Sequence, residues 1–91
     1  MNDESKWHVY RECINKWGEE AQIGMLYEEM GELASALNKY HRGRCLDGDV
    51  IEELADVIIM CEQVSLIFNG EIPYAKMFEK IERIKERLRD Y

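Results

Sequence analysis

Two short acidic motifs are the residues of this chain best suited to chemistry. Residues 28–32 read EEMGE and supply Glu29 and Glu32, and residues 53–56 read ELAD and supply Glu53 and Asp56. Both motifs lie in stretches with helical apolar periodicity. Carboxylates three residues apart share one face of a helix, with about 5–6 Å between their Cβ atoms. Two facing helices would therefore direct four carboxylates into one small volume.

Four clustered carboxylates are unfavourable without cations, because they repel one another and bind protons more tightly than usual. Nearby bases do not relieve this repulsion: the residues four positions after Glu29, Glu32 and Glu53 are Leu33, Ala36 and Val57. Divalent cations would relieve it. Oxygen ligands without His or Cys favour Mg²⁺, with Mn²⁺ as a substitute. We therefore expect Glu29, Glu32, Glu53 and Asp56 to form a metal site.

Four helices are predicted to position these acids. Apolar residues recur every three or four positions over residues 3–17, 19–42 and 49–68, and again after Pro73. Gly43 and Asn69-Gly70 end the second and third helices, and Asp49 begins the third in a capping box with Glu52. We predict one all-α domain over residues 1–91. It is a four-helix, bundle-like chain whose two long antiparallel helices carry the acidic motifs.

A helical wheel separates the ligand candidates from their neighbours. Glu29 lies roughly 80° and Glu32 roughly 140° from the centre of the apolar stripe on the second helix. Glu53 and Asp56 lie at roughly 90° and 150° on the third. The four acids thus leave the core boundary at similar angles, as two helices lining one cleft require. Glu28 points away, which leaves it as a supporting residue behind the ligands or as a solvated side chain.

The third helix carries more apolar surface than one core requires. Its predicted inward stripe includes Val50, Leu54, Val57, Ile58, Cys61, Val64 and Phe68. Ile59, Leu66 and Ile67 lie off that stripe. A helix that is apolar nearly all round is buried on both sides. We therefore expect a homodimer or homotetramer.

Composition excludes several classes of function. The formal charge of −7 argues against binding a nucleic-acid polymer through its phosphate backbone. The polar residues 1–6 do not form a signal peptide, and no apolar run reaches the ~20 residues needed to cross a bilayer. The three cysteines show no metal-ligand spacing. We expect a cytoplasmic protein with no membrane partner.

The motifs resemble those of the MazG-like all-α nucleoside triphosphate pyrophosphohydrolases. The resemblance rests on EExxE followed by ExxD, on Trp17-Gly18 and Gln22 before the first motif, and on Lys80 in the last helix. It covers roughly residues 10 to 90. It implies Mg²⁺-dependent hydrolysis of a ribo- or deoxyribonucleoside triphosphate to the monophosphate and pyrophosphate, which would remove unwanted nucleotides from the pool.

The resemblance also implies roles for individual residues. Lys80 matches a helix-four lysine that the family uses near the phosphates. Many members carry a second polar residue four positions later, where this chain has Ile84, so Arg83 or Arg87 is expected to substitute. Gln22 matches a position that reaches the nucleotide.

Two further roles remain open at the level of sequence. Trp17 could stack on a nucleobase, although core packing is the more common fate of a tryptophan. Glu32 is the candidate to accept a proton from the attacking water.

Two alternative functions remain compatible with the sequence. A phosphoribosyl-ATP pyrophosphohydrolase would share the chemistry and differ in substrate. A catalytically silent helical dimer would act as a binding or regulatory module, although such a module has no need of clustered, repelling carboxylates.

Overall fold

The computed structural model describes residues 3–90, with side chains from Ser5 onward. Within this range the chain forms four helices and no strand: α1 Asp3–Trp17, α2 Glu19–His41, α3 Asp47–Asn69 and α4 Tyr74–Arg89. The expected all-α, four-helix architecture is confirmed. None of these helices has the length and apolar character needed to span a membrane.

The start of α3 differs from the prediction. α3 begins at Asp47, and Leu46 occupies the position before its first turn. The Leu46 N–H donates to Oδ2 of Asp49 at 2.9 Å. Asp49 therefore satisfies one of the free amides at the helix start from inside the first turn. The predicted capping box of Asp49 with Glu52 was wrong, because an acid in the first turn allowed the helix to begin two residues earlier.

α2 and α3 are antiparallel and form the main helix pair. Their register is fixed by a buried pair of amides, in which Nε2 of Gln63 donates to Oε1 of Gln22. Glu29 lies seven residues after Gln22 on α2, and Asp56 lies seven residues before Gln63 on α3. Because the helices are antiparallel, Glu29 is therefore opposite Asp56. Three further residues bring Glu32 opposite Glu53. The interface between the two helices is therefore a series of layers, and two consecutive layers are acidic.

This interface is rotated from the apolar stripes that the sequence suggests. On α2 it includes the buried Gln22, whereas Met30 and Leu37 of the predicted stripe are exposed. On α3 it includes the buried Met60 and Gln63, whereas Leu54, Ile58, Cys61 and Phe68 are exposed. The rotation is roughly a quarter turn on each helix at 100° per residue. The prediction that these stripes face the interior is therefore confirmed only in part within one protomer, because Leu26 and Leu33 on α2 and Val57 and Val64 on α3 are half-buried.

α1 packs against both long helices. The Tyr10 hydroxyl donates to Oε1 of Glu62 on α3 at 2.7 Å, and Lys6 lies 3.2 Å from the same carboxylate. The Trp7 ring meets Tyr10 edge-on, with 5.3 Å between ring centroids. Leu66 and Ile67 are half-buried near α1, so they are not part of an exposed patch as predicted.

α4 stands apart from the other three helices. Within the described residues its backbone does not approach those of α1, α2 and α3, although Tyr74 at its start lines a cavity with Trp7 and Arg11 of α1. Its apolar residues Met77, Ile81, Ile84 and Leu88 share one face and are exposed, with Leu88 at 71%. A strongly amphipathic helix without a partner is not stable in water on its own.

The protomer is extended for its size. It exposes 7349 Å², whereas a compact monomer of 10.8 kDa exposes about 5,500 Å². Its radius of gyration is 16.0 Å, against about 12 Å for a compact chain of this length. The excess of surface is mostly side chains of the long helices and of α4 that a packed domain would bury.

Candidate metal centre

Three carboxylates meet between α2 and α3. Each of Glu29, Glu53 and Asp56 offers an oxygen within 4.8 Å of the others. Glu53 and Asp56 are one turn apart on α3, and the antiparallel register places Glu29 opposite them on α2. These distances suit oxygens that share a cation.

Glu32 lies beside this triad. Burial raises the pKa of Glu29 and of Glu53, and repulsion from the nearby Glu32 carboxylate raises both further. Glu32 is more exposed than Glu29 and Glu53 and falls outside the 4.8 Å group. The structure thus brings together all four acids predicted as ligands, three closely and the fourth at the edge.

Two oxygens of the centre are buried without a hydrogen-bond donor. Within the described residues, Oε2 of Glu29 and Oε2 of Glu53 have no hydrogen-bond partner. Burial, followed by repulsion from Glu32 and Asp56, raises the pKa of Glu29 and of Glu53 above the ordinary 4.5. A buried carboxylate that lacks a donor is costly unless a cation or a proton compensates it.

The donor set fits a hard divalent cation. All four side chains supply oxygens, and none of them pairs with a Lys, Arg or His side chain within the described part of the chain. Two buried oxygens without a donor, on carboxylates that lie this close together, are groups that bound Mg²⁺ would satisfy. An ordinary solvated acidic surface would not bury these atoms.

The raised pKa values predict how the metal-free protein responds to pH. A carboxyl group whose pKa is higher in the folded state stabilises that state when protonated, and the stabilisation is lost as pH rises through the raised pKa. Thermal unfolding in EDTA should therefore occur at a higher temperature at pH 5 than at pH 7.5. Glu53→Gln should flatten this dependence, whereas Glu28→Gln should preserve it. Equal slopes in these two variants would contradict the assignment.

A second polar layer lies two turns from the acids. Gln22 is 6% exposed and Gln63 is 3% exposed, and they form the floor of a groove of about 600 Å³. Tyr10, Cys13, Trp17, Met25, Ile59 and Met60 line its apolar walls with Val9 and Ala21. We call this the glutamine groove. Gln22, matched from the sequence as a nucleotide contact, is therefore a buried residue at the edge of a ligand-sized space.

Trp17 lines the glutamine groove and is exposed to solvent. Its side chain is 57% exposed, so the expectation that it packs in the core was wrong. The end of α1 leaves its ring at the protein surface, and Lys16 lies 5.2 Å from the ring centroid. An exposed indole beside a groove is available to stack on a planar ligand.

Gln63 is the site residue that sequence reasoning missed. It lies seven residues after Asp56, which places the two side chains on the same face of α3 two turns apart. A polar side chain on that face, between Met60 and Ile67, was the available signal. It was hidden because the apolar stripe of α3 was expected to face inward.

The remaining predicted site residues do not join the centre within this protomer. Lys80 and Arg83 are exposed on α4, which packs against none of the other described helices. Glu28 is exposed on α2 and lies outside the acidic triad. Their predicted roles remain predictions.

No protein-family model, curated protein or solved structure matches this chain. The MazG-like resemblance therefore remains a prediction carried by the motifs, and the function has to be argued from the geometry of the acids.

Proposed function

We propose that this protein hydrolyses a nucleoside triphosphate to the monophosphate and pyrophosphate with Mg²⁺. The observation that carries the proposal is the meeting of Glu29, Glu53 and Asp56 within 4.8 Å, with Glu32 beside them and two oxygens orphaned. A cluster of this kind suits cations that also bind a polyphosphate. Bound Mg²⁺ would supply charge neutralisation and an acidified water.

The chain's own residues account for the other requirements of the reaction. Glu29, Glu53 and Asp56 would hold the cation between the helices. Glu32, at the edge of the triad and more exposed, is the proposed acceptor of the proton from water. The chain has no GxxxxGK phosphate loop, so metal and separate basic side chains must hold the phosphates.

The glutamine groove is the proposed place of the nucleoside. Trp17 offers a face for stacking, and the buried amides of Gln22 and Gln63 offer hydrogen-bonding groups to a base. A groove with apolar walls and a few buried polar groups has the usual character of a small-molecule site.

The protein is further proposed to work as a homodimer or homotetramer. The protomer's excess surface exceeds the roughly 800 Å² that each partner contributes to an interface of standard size. On α4, Lys80, Arg83 and Arg87 form a basic row about 100° from the apolar stripe. Docking that stripe on a second copy would bury it and leave the basic row at the edge of the interface.

One screen tests the proposed function. The common ribo- and deoxyribonucleoside triphosphates are incubated with the protein and Mg²⁺, and ion chromatography identifies the products. We expect pyrophosphate and a monophosphate from at least one substrate, with no turnover in EDTA. Release of orthophosphate and a diphosphate, or no cleavage of any triphosphate, would refute the proposal.

A further inference from the structure

A second cavity adjoins the metal centre on the side away from the glutamine groove. Its volume of about 410 Å³ lies within the range of ligand pockets. Glu32 and Glu53 belong to its wall, and so do two cations, Lys39 and Arg44. The remaining lining residues are Ser35, Ala36, Cys45, Asp49 and Glu52. We call it the loop cavity, because the loop between α2 and α3 closes one end of it.

The end of α2 brings the two cations together. The Arg44 N–H donates to the Lys39 carbonyl at 2.8 Å, and the Gly43 N–H donates to the Tyr40 carbonyl at 2.9 Å. This is the Schellman pattern of helix ends, and it requires the left-handed backbone that Gly43 adopts at φ 70°. The Cys45 thiol donates to the Ala36 carbonyl at 3.4 Å. This contact holds Cys45, the residue after Arg44, against α2. The backbones of Lys39 and Arg44 are thus fixed side by side.

Both cations are free of ion pairs although carboxylates line the same cavity. Within the side chains described, from Ser5 to Asp90, neither Lys39 nor Arg44 has a carboxylate oxygen within 4.0 Å. Asp49, one of the carboxylates that line the cavity, accepts instead from the Leu46 N–H. Two unpaired cations on one wall can bind an anion that enters the cavity.

The position of Lys39 relates this anion to the metal centre. Lys39 follows Glu32 by seven residues, which places it on the same face of α2 about 10 Å further along the axis. Side chains on a helix lean towards its N-terminus. Since Lys39 and Glu32 line the same cavity, we expect Lys39 to lean towards Glu32, so that a group bound by both cations is adjacent to the acids.

We propose that Lys39 and Arg44 bind the β- and γ-phosphates of the substrate, which leave as pyrophosphate. This inference rests on the proposed function, and it sets the direction of the substrate. The nucleoside lies in the glutamine groove, the α-phosphate at the acids, and the leaving group in the loop cavity. The three sites follow one another along α2, near Gln22, Glu29 and Lys39.

The charges of the loop cavity make this binding dependent on Mg²⁺. Four carboxylates line it against two cations, so the cavity repels an anion when the acids are unneutralised. A divalent cation held by the acids reverses the local field. Pyrophosphate should therefore bind with Mg²⁺ and fail to bind in EDTA.

Titration calorimetry with inorganic pyrophosphate and Mg²⁺ tests the proposal without turnover. Lys39→Gln and Arg44→Gln should each weaken binding about tenfold or more, because each removes charge-assisted hydrogen bonds. Lys39→Arg should retain most of the affinity. Arg42→Gln is the matched control, since Arg42 lies at the same helix end and does not line the cavity. It should bind as the parent protein does.

The outcomes separate this proposal from the proposed function. Unchanged pyrophosphate affinity in both glutamine variants would overturn the loop cavity as its site, even with full hydrolysis of a triphosphate. A loss of affinity in Arg42→Gln equal to that in Lys39→Gln and Arg44→Gln would also overturn it. The same holds if the parent protein binds Mn²⁺ and does not bind pyrophosphate. Pyrophosphate binding that follows the predicted pattern, without hydrolysis of any triphosphate, would keep the anion site and refute the reaction.

Discussion

Glu53→Gln is expected to reduce pyrophosphate release about a hundredfold or more at an unchanged fold. The substitution removes one metal-binding charge at nearly constant volume, and metal catalysis of this kind contributes several kcal/mol, of which 1.36 kcal/mol is a factor of ten in rate. Glu29→Gln, Glu32→Gln and Asp56→Asn should act in the same way. Initial rates with saturating Mg²⁺ measure the effect.

The metal-free variants supply a second readout of the same prediction. Glu29→Gln and Glu53→Gln relieve repulsion among buried carboxyl groups, so in EDTA at pH 7.5 they should unfold at the same temperature as the parent or higher. Glu28→Gln is the matched control, because Glu28 is exposed, lies about 100° around α2 from Glu29 and is outside the acidic triad. Near-parental activity in any two of the four acid variants would break the assignment.

The second large effect concerns the exposed face of α4. If the protein assembles as proposed, Ile81→Glu combined with Ile84→Lys should convert it to monomers and lower the unfolding temperature by more than 10 °C. Burying a large aliphatic side chain contributes about 1.5–3 kcal/mol, and 1 kcal/mol corresponds to about 4–8 °C in a domain of this size. The introduced glutamate and lysine are three residues apart, a spacing at which opposite charges stabilise a helix, so α4 should remain helical. Sedimentation velocity and thermal unfolding monitor the two effects.

A charge exchange on the polar side of the same helix is the control. Lys76 and Glu79 form an exposed ion pair at 3.3 Å, and Lys76→Glu with Glu79→Lys changes as many side chains without touching the apolar stripe. This variant should keep the assembly and the unfolding temperature. Sedimentation of the parent protein as a monomer at micromolar concentration would refute the proposed assembly.

Local patterns were enough to predict the helices and the acids. Apolar spacing located all four helices, because periodicity and helix-ending glycines act within a few residues. The meeting of Glu29, Glu53 and Asp56 followed from i, i+3 spacing on two antiparallel helices. These features depend on neighbours in sequence, so a sequence carries them directly.

Local sequence patterns did not predict which element of the structure packs against each helix face. A stripe such as Leu54, Ile58 and Phe68 shows that a face is apolar and does not show which element covers it. In this protomer α2 and α3 meet through Gln22, Gln63 and the acids, and part of the apolar face of each helix stays exposed. Gln63 was missed for the same reason, and the separate position of α4 depends on the same choice.

Binding of Mn²⁺, followed by electron paramagnetic resonance, is the most direct test of the metal centre because it requires no knowledge of the substrate. We expect that the parent protein and Glu28→Gln bind Mn²⁺ alike, that added Mg²⁺ displaces it, and that Glu53→Gln and Asp56→Asn lose most of the binding. A parent protein that binds no Mn²⁺, or equal binding in Asp56→Asn and Glu28→Gln, would contradict a metal centre built from these four acids.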